Sequence, residues 1–315
     1  MNKRLENFNY SQNSINTYKS CPVKFKYKYI DKINWMKDNI ESRGYYDSLK
    51  KGLDFHLLCE RYFNSIPVGI DQINNDDKNK FTKWLDKIKH DIPIVENKKY
   101  LTEYEISLNL NGNHIKAKYD LIVLGNNSIE IWDWKTEARK INFKNVESRV
   151  QTIVYLFLAK EVIPRLFNIE VDYENIKMIY YQPEFENTKI SISYSEEKHK
   201  LFRTFIEHYV DIIKRTDFDD GKFIESEVYK NNSIDQSLKI NAEVVEDDNI
   251  QKTEEIVYNN IEHMCCNDLS INNEEMLDNI KLIKNKKHCN YCEFNKLCNN
   301  LDVDFDILES EVYGT

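Results

Sequence analysis

The heptapeptide IEIWDWK, residues 129–135, ends an apolar strand pattern with two charged side chains that could act together. Ile129 and Ile131 alternate as the inward face of a β-strand, and Asp133 and Lys135 continue on that face. Burying an acid and an amine is costly unless they are paired or bind a ligand. A carboxylate that holds a divalent cation, beside an ammonium group, is suited to cleaving a phosphodiester.

The loop GNNS, residues 125–128, predicts a hairpin that places Asp120 opposite Asp133. At a Cβ spacing of about 5 Å across a strand pair, two carboxylates repel each other unless a shared proton or a divalent cation lies between them. The same register aligns two lysines, and it sets apolar pairs on the opposite face of the hairpin. These pairs are Lys118 with Lys135, Leu121 with Trp132, and Tyr119 with Trp134.

A second interpretation of this hairpin is purely structural. In it, Asp120 and Asp133 lie at the solvent end of the hairpin, and each pairs with a lysine. The sequence NGN at residues 111–113 adds a third acid to the first interpretation. If the turn there has a two-residue loop, Glu103 lies near Asp120.

The elements that would position these residues follow from the spacing of apolar side chains. Residues 11–31 predict two short helices separated at Cys21-Pro22, because proline disfavours helix in the residue before it. Residues 101–135 predict a three-stranded meander, and since its last hairpin is apolar on both faces we expect helices on both sides. Further helices are predicted at 48–64, 79–90, 146–161, 196–215 and 252–264, and strands near 176–182 and 188–194.

The overall composition is that of a soluble globular protein. The chain has 315 residues, 31% charged and 41% hydrophobic, and no apolar run approaches the roughly 18 residues that span a bilayer. The first residues carry no apolar core typical of a secretory signal, so we expect a cytoplasmic location. The net charge of −9 disfavours a protein that coats nucleic acid, but residues 19–32 and 281–288 are locally basic.

Seven cysteines form an odd set, which in an intracellular chain argues against a disulfide framework and for metal binding or inert burial. Three of them are closely spaced near the end, as Cys289, Cys292 and Cys298, and Cys21 stands alone near the start. We interpret Cys59 as a core residue. The adjacent pair Cys265 and Cys266 fits no motif.

In these motifs the chain resembles the PD-(D/E)XK nuclease superfamily, and within it the RecB-like branch. Residues 119–120 (YD) and 133–135 (DWK) resemble the two halves of the superfamily signature. Residues 52–56 (GLDFH) resemble the histidine motif of the branch, and residues 151–155 (QTIVY) its QxxxY motif. The order and spacing of the four motifs are more specific than any one alone, although Ala117 stands where relatives usually have glycine.

The resemblance implies a restriction-endonuclease-like core, with a central mixed β-sheet flanked by helices. It also implies roles for named side chains at a site for Mg²⁺ or Mn²⁺. Lys135 would assist the attacking water, and Gln151 and Tyr155 would orient the substrate. The metal ligands would be His56, Asp120, Asp133 and the carbonyl group of Trp134.

The cysteine pattern is similar to that of iron–sulfur members of the branch, which include AddB-type DNA-end-processing subunits and CRISPR-associated RecB-like exonucleases. By that resemblance Cys21, Cys289, Cys292 and Cys298 hold a [4Fe–4S] cluster that clips the two ends of the chain together. The same four thiolates also suit structural Zn²⁺, and their spacing alone does not choose between the two groups.

The sequence therefore predicts a single nuclease domain over residues 1–315. Its core covers residues 11–215, with an insertion at 222–284, the cysteine clip at 285–300 together with Cys21, and an acidic tail at 301–315.

The expected function is a metal-dependent DNA nuclease, an exonuclease acting on DNA ends or single strands in repair or recombination. The alternatives are a non-catalytic DNA-end-binding or scaffold subunit, a CRISPR spacer-acquisition nuclease, and a zinc-stabilised interaction protein. The chain has no phosphate-binding loop of the Walker A type, so a helicase or integrase partner is expected only by analogy with the family.

Overall fold

Alternating apolar and polar residues between positions 99 and 134 form the centre of a β-sheet. The computed structural model describes residues 3–34, 40–73, 75–142, 146–186, 189–219, 223–226 and 280–299. In it the predicted meander consists of β2 (Lys99–Leu110), β3 (Asn113–Leu124) and β4 (Ile129–Trp134), with antiparallel pairing at both steps. Asn111 and Gly112 have φ of 52° and 80°, so the β2–β3 turn has the two-residue loop that Asn-Gly favours.

Three more strands complete this sheet within the described residues, namely β1 (Asn9–Ser11), β5 (Ile176–Tyr181) and β6 (Lys189–Ser193). The strand order is β1-β3-β4-β5-β6, and β2 also pairs with β3. The β1–β3 and β4–β5 pairs are parallel and the others antiparallel, which confirms the predicted mixed sheet. A separate parallel pair joins β7 (Ile224–Ser226) to β8 (Ile283–Asn285).

Helices lie on both faces of the sheet, as the apolar hairpin predicts. They are α1 (Gln12–Ser20), α2 (Pro22–Phe25), α3 (Ile40–Phe63), α4 (Asn75–Asp91), α5 (Val150–Phe167), α6 (Glu196–Arg215) and α7 (Asn295–Cys298). A π-helical turn at Lys26–Ile30 follows α2, and 3₁₀ turns occur at Lys3–Leu5, Ile70–Gln72, Tyr173–Asn175 and Lys286–Tyr291. No helix in the described ranges has the length and apolar character that a bilayer crossing needs.

Local sequence fixes several helix ends. Ser11 and Ser14 form a reciprocal capping box at the start of α1, and Pro22 separates α1 from α2 as predicted. The side chain of Ser195 caps α6, and α5 ends at Asn168 in the left-handed region. The predictions for α3 and α5 miss their N-termini, since α3 begins before residue 48 and α5 begins four residues after 146.

The two faces of the sheet pack into two separate apolar cores. The larger core joins the sheet to α1, α2, α5 and α6, and it contains Ile122, Ile129 and Ile131. The smaller core joins the sheet to α3 and α4, and it contains Leu121, Trp132 and Trp134. The β3–β4 pair therefore contributes side chains to both cores, one on each face of the sheet.

Alternation along β2 and β3 is interrupted opposite Glu103. This residue has φ of +49°, and it lies across from Asp120, because Thr102 pairs with Leu121 and Tyr104 pairs with Tyr119. Tyr119 therefore packs in the same core as Ile122, on the opposite face from Trp134. The predicted pairing of Tyr119 with Trp134 on one face is wrong, since a left-handed residue in β2 reverses the alternation of both strands.

The predicted β3–β4 register is confirmed from Leu121–Trp132 to Leu124–Ile129. Regular pairing ends there, and the Asp120 side chain occupies the next position by accepting a 2.8 Å hydrogen bond from the Trp134 N–H group. The strands therefore separate just where the predicted acidic residues lie.

The start and end of the described chain are in direct contact. Asn285 Nδ2 donates to the Ser20 carbonyl at 3.0 Å, and Lys24 pairs with Glu293 at 2.7 Å. These contacts bring the cysteine-rich segment beside the first helices. Most of the predicted insertion (227–279, which includes the predicted helix 252–264, Cys265 and Cys266) and the acidic tail lie outside the described residues.

Candidate active site

Helix α3 carries His56 to the point where β3 and β4 separate. Phe55, Leu58 and Cys59 anchor the helix in the smaller core, which leaves His56 at the edge of the sheet. Gly52, one turn earlier, lies so close to the end of β4 that an added Cβ would be 3.2 Å from Thr136 Oγ1. The glycine of the GLDFH motif thus permits the close approach that places the histidine.

Three side chains converge there in a geometry that suits a metal ion. One donor atom from each of His56, Glu103 and Asp120 lies within 4.8 Å of the other two. His56 Nδ1 is 3.4 Å from Asp120 Oδ1 and 3.9 Å from Glu103 Oε1. An imidazole nitrogen and two carboxylates are ligands that Mn²⁺ accepts, while carboxylate oxygens alone suit Mg²⁺.

Asp133 anchors a second group of side chains on the adjoining strand. The Gln151 side chain donates to Asp133 Oδ1 at 2.6 Å and accepts from Lys135 Nζ at 3.2 Å. Lys135 Nζ also lies 2.6 Å from Asp133 Oδ2. The structure thus brings together three predicted residues from β4, the position after it, and the first turn of α5.

Burial and charge set the protonation of this group. Asp133 is only 1% exposed, and burial together with the neighbouring Asp120 raises its pKa to about 6, against the opposing effect of Lys135. Burial alone would lower the pKa of His56, but the hydrogen bond and charge of Asp120 outweigh it and the pKa is raised. The two neighbouring carboxylates therefore favour the charged form of the imidazole while no metal ion is bound.

The surroundings of the acids indicate whether a cation fits this site. Within the described part of the chain, the buried Asp133 Oδ2 has no partner in hydrogen-bond geometry, although Lys135 Nζ is at ion-pair distance. Glu103, Asp120 and Asp133 also place three acids at one break in the sheet. Carboxylates and an imidazole are ligands that a divalent cation accepts, and gathering three acids at one point is costly without a cation, so the site passes the test.

Tyr155 and Trp134 both make hydrogen bonds that involve the backbone of the central strands. The buried Tyr155 hydroxyl donates to the Lys118 carbonyl at 2.5 Å, and the Tyr119 hydroxyl donates back to the Tyr155 carbonyl at 2.9 Å. Tyr155 thus braces β3 two residues from Asp120, which favours a positioning role over substrate contact. Trp134 contributes its N–H group to Asp120, and the predicted role of its carbonyl group stays a prediction.

Glu103 is a site residue that the sequence only weakly indicates. The sequence places it near Asp120 only if the β2–β3 turn has a two-residue loop, and the structure has this loop. The Asn-Gly pair was the available signal, because it fixes the register of β2 on β3. The predicted alignment of Lys118 with Lys135 is wrong, since Lys118 instead pairs with Glu103 at 2.7 Å.

The four predicted clip cysteines line one cavity of about 240 Å³ at the junction of the chain ends. Its walls also include two lysines, and the lining residues are Ser20, Cys21, Lys24, Lys284, Asn285, Cys289, Cys292, Asn295 and Cys298. Burial raises the pKa of the Cys292 thiol and raises that of Cys298 to about 11. Thiols in such surroundings need a metal or a nearby positive charge to ionise.

The two locally basic stretches, residues 19–32 and 281–288, meet beside this cavity. Several of their lysines contact acids, aromatic rings or polar groups. These contacts join Lys24 to Glu293, Lys26 to Asp31, Lys19 to the Phe205 and Tyr209 rings, and Lys284 to Asn299. Lys24 and Lys26 are thus paired with acids, and a basic surface beside the cavity stays a prediction.

The fold is that of an α/β protein, with a mixed sheet between helices. Where two of its strands separate, acids lie beside a lysine and a glutamine, and such a group of side chains is typical of a hydrolytic site. A family model for the PD-(D/E)XK nuclease superfamily matches residues 9–299, which is most of the chain. The chain belongs to the PD-(D/E)XK nuclease superfamily. Its members are nucleases that hydrolyse phosphodiester bonds.

Comparison with solved structures finds distant similarity. An inferred exonuclease from Eubacterium rectale is 12% identical, with a TM-score of 0.44, and the match covers 68% of this chain and 83% of that one. A protein named SSO0001 is 13% identical, with a TM-score of 0.30 and coverage of 64% and 74%. No curated protein sequence matches significantly.

Proposed function

We propose that the protein is a metal-dependent deoxyribonuclease that acts on DNA ends or single strands. The observation that carries the proposal is the convergence of His56, Glu103 and Asp120 beside the Asp133–Lys135–Gln151 group at the break in the sheet. A purely structural hairpin end has no need to gather three acids, one of them buried, at one break in the sheet. Catalysis explains why this cost is retained.

The bound cation, Mg²⁺ or Mn²⁺, would neutralise charge on the phosphate and supply an acidified water. His56, Glu103, Asp120 and Asp133 would hold it. Lys135 lies beside the Asp133 carboxylate, where it would orient the attacking water and stabilise the added negative charge on the phosphate. Gln151 fixes both Lys135 and Asp133 through its two ends, so its task is to position that pair.

The test is cleavage of labelled single-stranded and double-stranded DNA with Mn²⁺ by the wild type, Asp133→Asn and Lys135→Ala. We expect each substitution to lower the rate by at least about a hundredfold, as loss of one oxyanion-stabilising group does. Glu130→Gln and Lys177→Ala are matched controls, because these residues form a 3.1 Å ion pair on β4 and β5 away from the site.

Wild-type rates in both active-site variants would remove the nuclease proposal. Binding of DNA that a chelator leaves unchanged, with no cleavage in any metal, would instead favour the non-catalytic scaffold.

We also propose that the cavity lined by Cys21, Cys289, Cys292 and Cys298 holds a [4Fe–4S] cluster. A tetrahedral zinc site with Zn–S bonds of about 2.3 Å needs sulfur atoms about 3.8 Å apart. Among the described residues, no three cysteines have sulfur atoms within 4.8 Å of one another. A cavity of about 240 Å³ between four such thiols fits a larger group better than a single ion.

Anaerobic purification tests this assignment directly. We expect a brown protein with about four iron atoms per chain and broad visible absorption, both lost in Cys298→Ser. Cys59→Ala is the control, because Cys59 is buried in the smaller core away from this cavity. A colourless preparation with one zinc ion per chain would replace the cluster with structural zinc.

A further inference from the structure

Helix α3 exposes a row of leucines beside the candidate active site. Leu49, Leu53 and Leu57 are 47%, 72% and 44% exposed, and their spacing of four residues places them along one face of the helix. The solvent face of a helix is normally polar, and a contiguous apolar row marks a contact surface. We call these three residues the leucine row.

The row adjoins His56. Leu53 precedes His56 by three residues and Leu57 follows it directly, so both lie within one helical turn of the imidazole that reaches Asp120. In the proposed reaction the scissile phosphate must come to the His56–Glu103–Asp120 cluster. The adjoining turns of α3 would then lie within reach of the nucleotides next to that phosphate.

The chemistry of the row selects which part of a nucleotide it can contact. Phosphate groups bind cations and hydrogen-bond donors, and leucine offers neither. Base faces are flat and weakly polar, and they bind apolar and aromatic side chains. In a duplex those faces are stacked against neighbouring bases, whereas an unpaired strand leaves them accessible.

We propose that Leu49, Leu53 and Leu57 contact the bases of unpaired nucleotides next to the scissile phosphate and so select single-stranded nucleic acid. The inference rests on the proposed nuclease function, since that function brings the strand to His56. The continuity of the row with the metal cluster favours the substrate over a protein partner as its occupant.

A double-mutant cycle between protein and substrate tests the proposal. The protein variants are Leu53→Ser/Leu57→Ser and the control Leu166→Ser, since Leu166 is an equally solvent-facing leucine, 54% exposed, in the last turn of α5. The substrates are a single-stranded oligonucleotide and the same strand made abasic around the cleavage position. Cleavage with Mn²⁺ and binding in a Lys135→Ala background are both measured.

We expect the wild type and Leu166→Ser to favour the intact strand over the abasic strand by about tenfold. The leucine double variant should treat the two strands alike, and its loss should fall on single strands more than on duplexes. All four substitutions change exposed or partly exposed side chains, so folding is preserved and is checked by circular dichroism.

The outcomes separate the two proposals. Cleavage with an unchanged preference for bases in the double variant overturns the leucine row assignment and keeps the nuclease; it is also the result expected if the row binds a protein. Binding that retains the cycle without cleavage in any metal overturns the nuclease and keeps the row. Absence of both binding and cleavage overturns both.

Discussion

At the scale of single residues, the candidate site is a balance between acids and the cations that hold them. Lys118 pairs with Glu103, Lys135 pairs with Asp133, and His56 lies beside Asp120. Each partner occupies a position from which it can neutralise a carboxylate before metal binds. The sequence indicated Asp120, Asp133 and Lys135 through their spacing in the hairpin, and His56 through its resemblance to a family motif. The contribution of Glu103 depends on strand register, which a turn only suggests.

Substitution of Glu103 tests whether it is a metal ligand. Glu103→Gln keeps the size of the side chain and removes its charge, so the Mn²⁺ concentration for half-maximal cleavage should rise on the order of tenfold or more. Glu105→Gln is the matched control, since Glu105 lies two residues further along β2 and pairs with Lys116 at 3.0 Å. Equal Mn²⁺ dependence in the two variants would show that Glu103 serves only to hold Lys118.

The buried Asp133 makes the metal-free protein sensitive to pH. Its pKa rises from 3.8 to about 6 on folding, so the folded state retains a proton that the unfolded state releases. Stability should therefore fall as pH rises from about 4 to about 6 and stay lowered above that range. Asp133→Asn lacks this penalty and should gain about 2 to 3 kcal/mol at pH 8, with little gain below pH 4.

Denaturant unfolding with chelator, at pH 8 and below pH 4, measures this difference. Glu130→Gln is a suitable comparison, because Glu130 pairs with Lys177 and is not part of the metal cluster. An Asp133→Asn gain that is the same at both pH values would mean that charge burial is not its cause.

At the scale of elements, the sequence predicted five strands of the central sheet from their periodicity and turns, but not the three-residue strand β1. The reversal of alternation at Glu103 could not be predicted, because a non-glycine residue with φ of +49° leaves no mark in the composition. This reversal accounts for the face that carries Tyr119, and it lies directly across from Asp120. The starts of two helices were also missed, with α3 beginning before the predicted residue 48 and α5 four residues after the predicted residue 146.

A buried ion pair ties α6 to the segment that leads into α5. Lys198 and Glu147 are both buried, and Lys198 Nζ lies 3.2 Å from Glu147 Oε1. Gln151 of the candidate site follows Glu147 by four residues. Lys198→Met should cost about 3 to 5 kcal/mol, because it leaves the Glu147 charge buried alone, and Lys198→Met/Glu147→Leu should recover most of that loss. Unfolding in denaturant provides the measurement.

Lys200→Met provides the control for this pair. Lys200 lies on the same helix and contacts Glu196 at 2.8 Å, but both side chains are exposed, so the cost should stay below about 1 kcal/mol. Similar costs for Lys198→Met and Lys200→Met would show that burial of the Lys198 pair has no energetic consequence.

At the scale of the whole molecule, residues near the start and near the end of the described chain are in contact. The first helices and the cysteine segment meet through Asn285–Ser20 and Lys24–Glu293, and four cysteines surround the cavity between them. Sequence motifs indicated which cysteines would meet, but not that lysines would line the same cavity. The contact between Asn285 and Ser20 joins residues 265 positions apart in sequence.

A cross-link between chain ends far apart in sequence should stabilise the fold strongly, because it restricts the unfolded chain. If the thiols hold a cluster, Cys21→Ser and Cys298→Ser should each lower the free energy of unfolding by about 3 kcal/mol or more under anaerobic conditions. Mn²⁺ affinity at the active site should change little, since His56, Glu103 and Asp120 lie on α3, β2 and β3.

Lys24→Met, which removes the Lys24–Glu293 ion pair, is the control. Both side chains of this pair are partly exposed, so the free energy of unfolding should fall by less than about 1 kcal/mol. Equal losses in Lys24→Met and Cys298→Ser would mean that ordinary side-chain contacts, and not a bound group, hold the chain ends together.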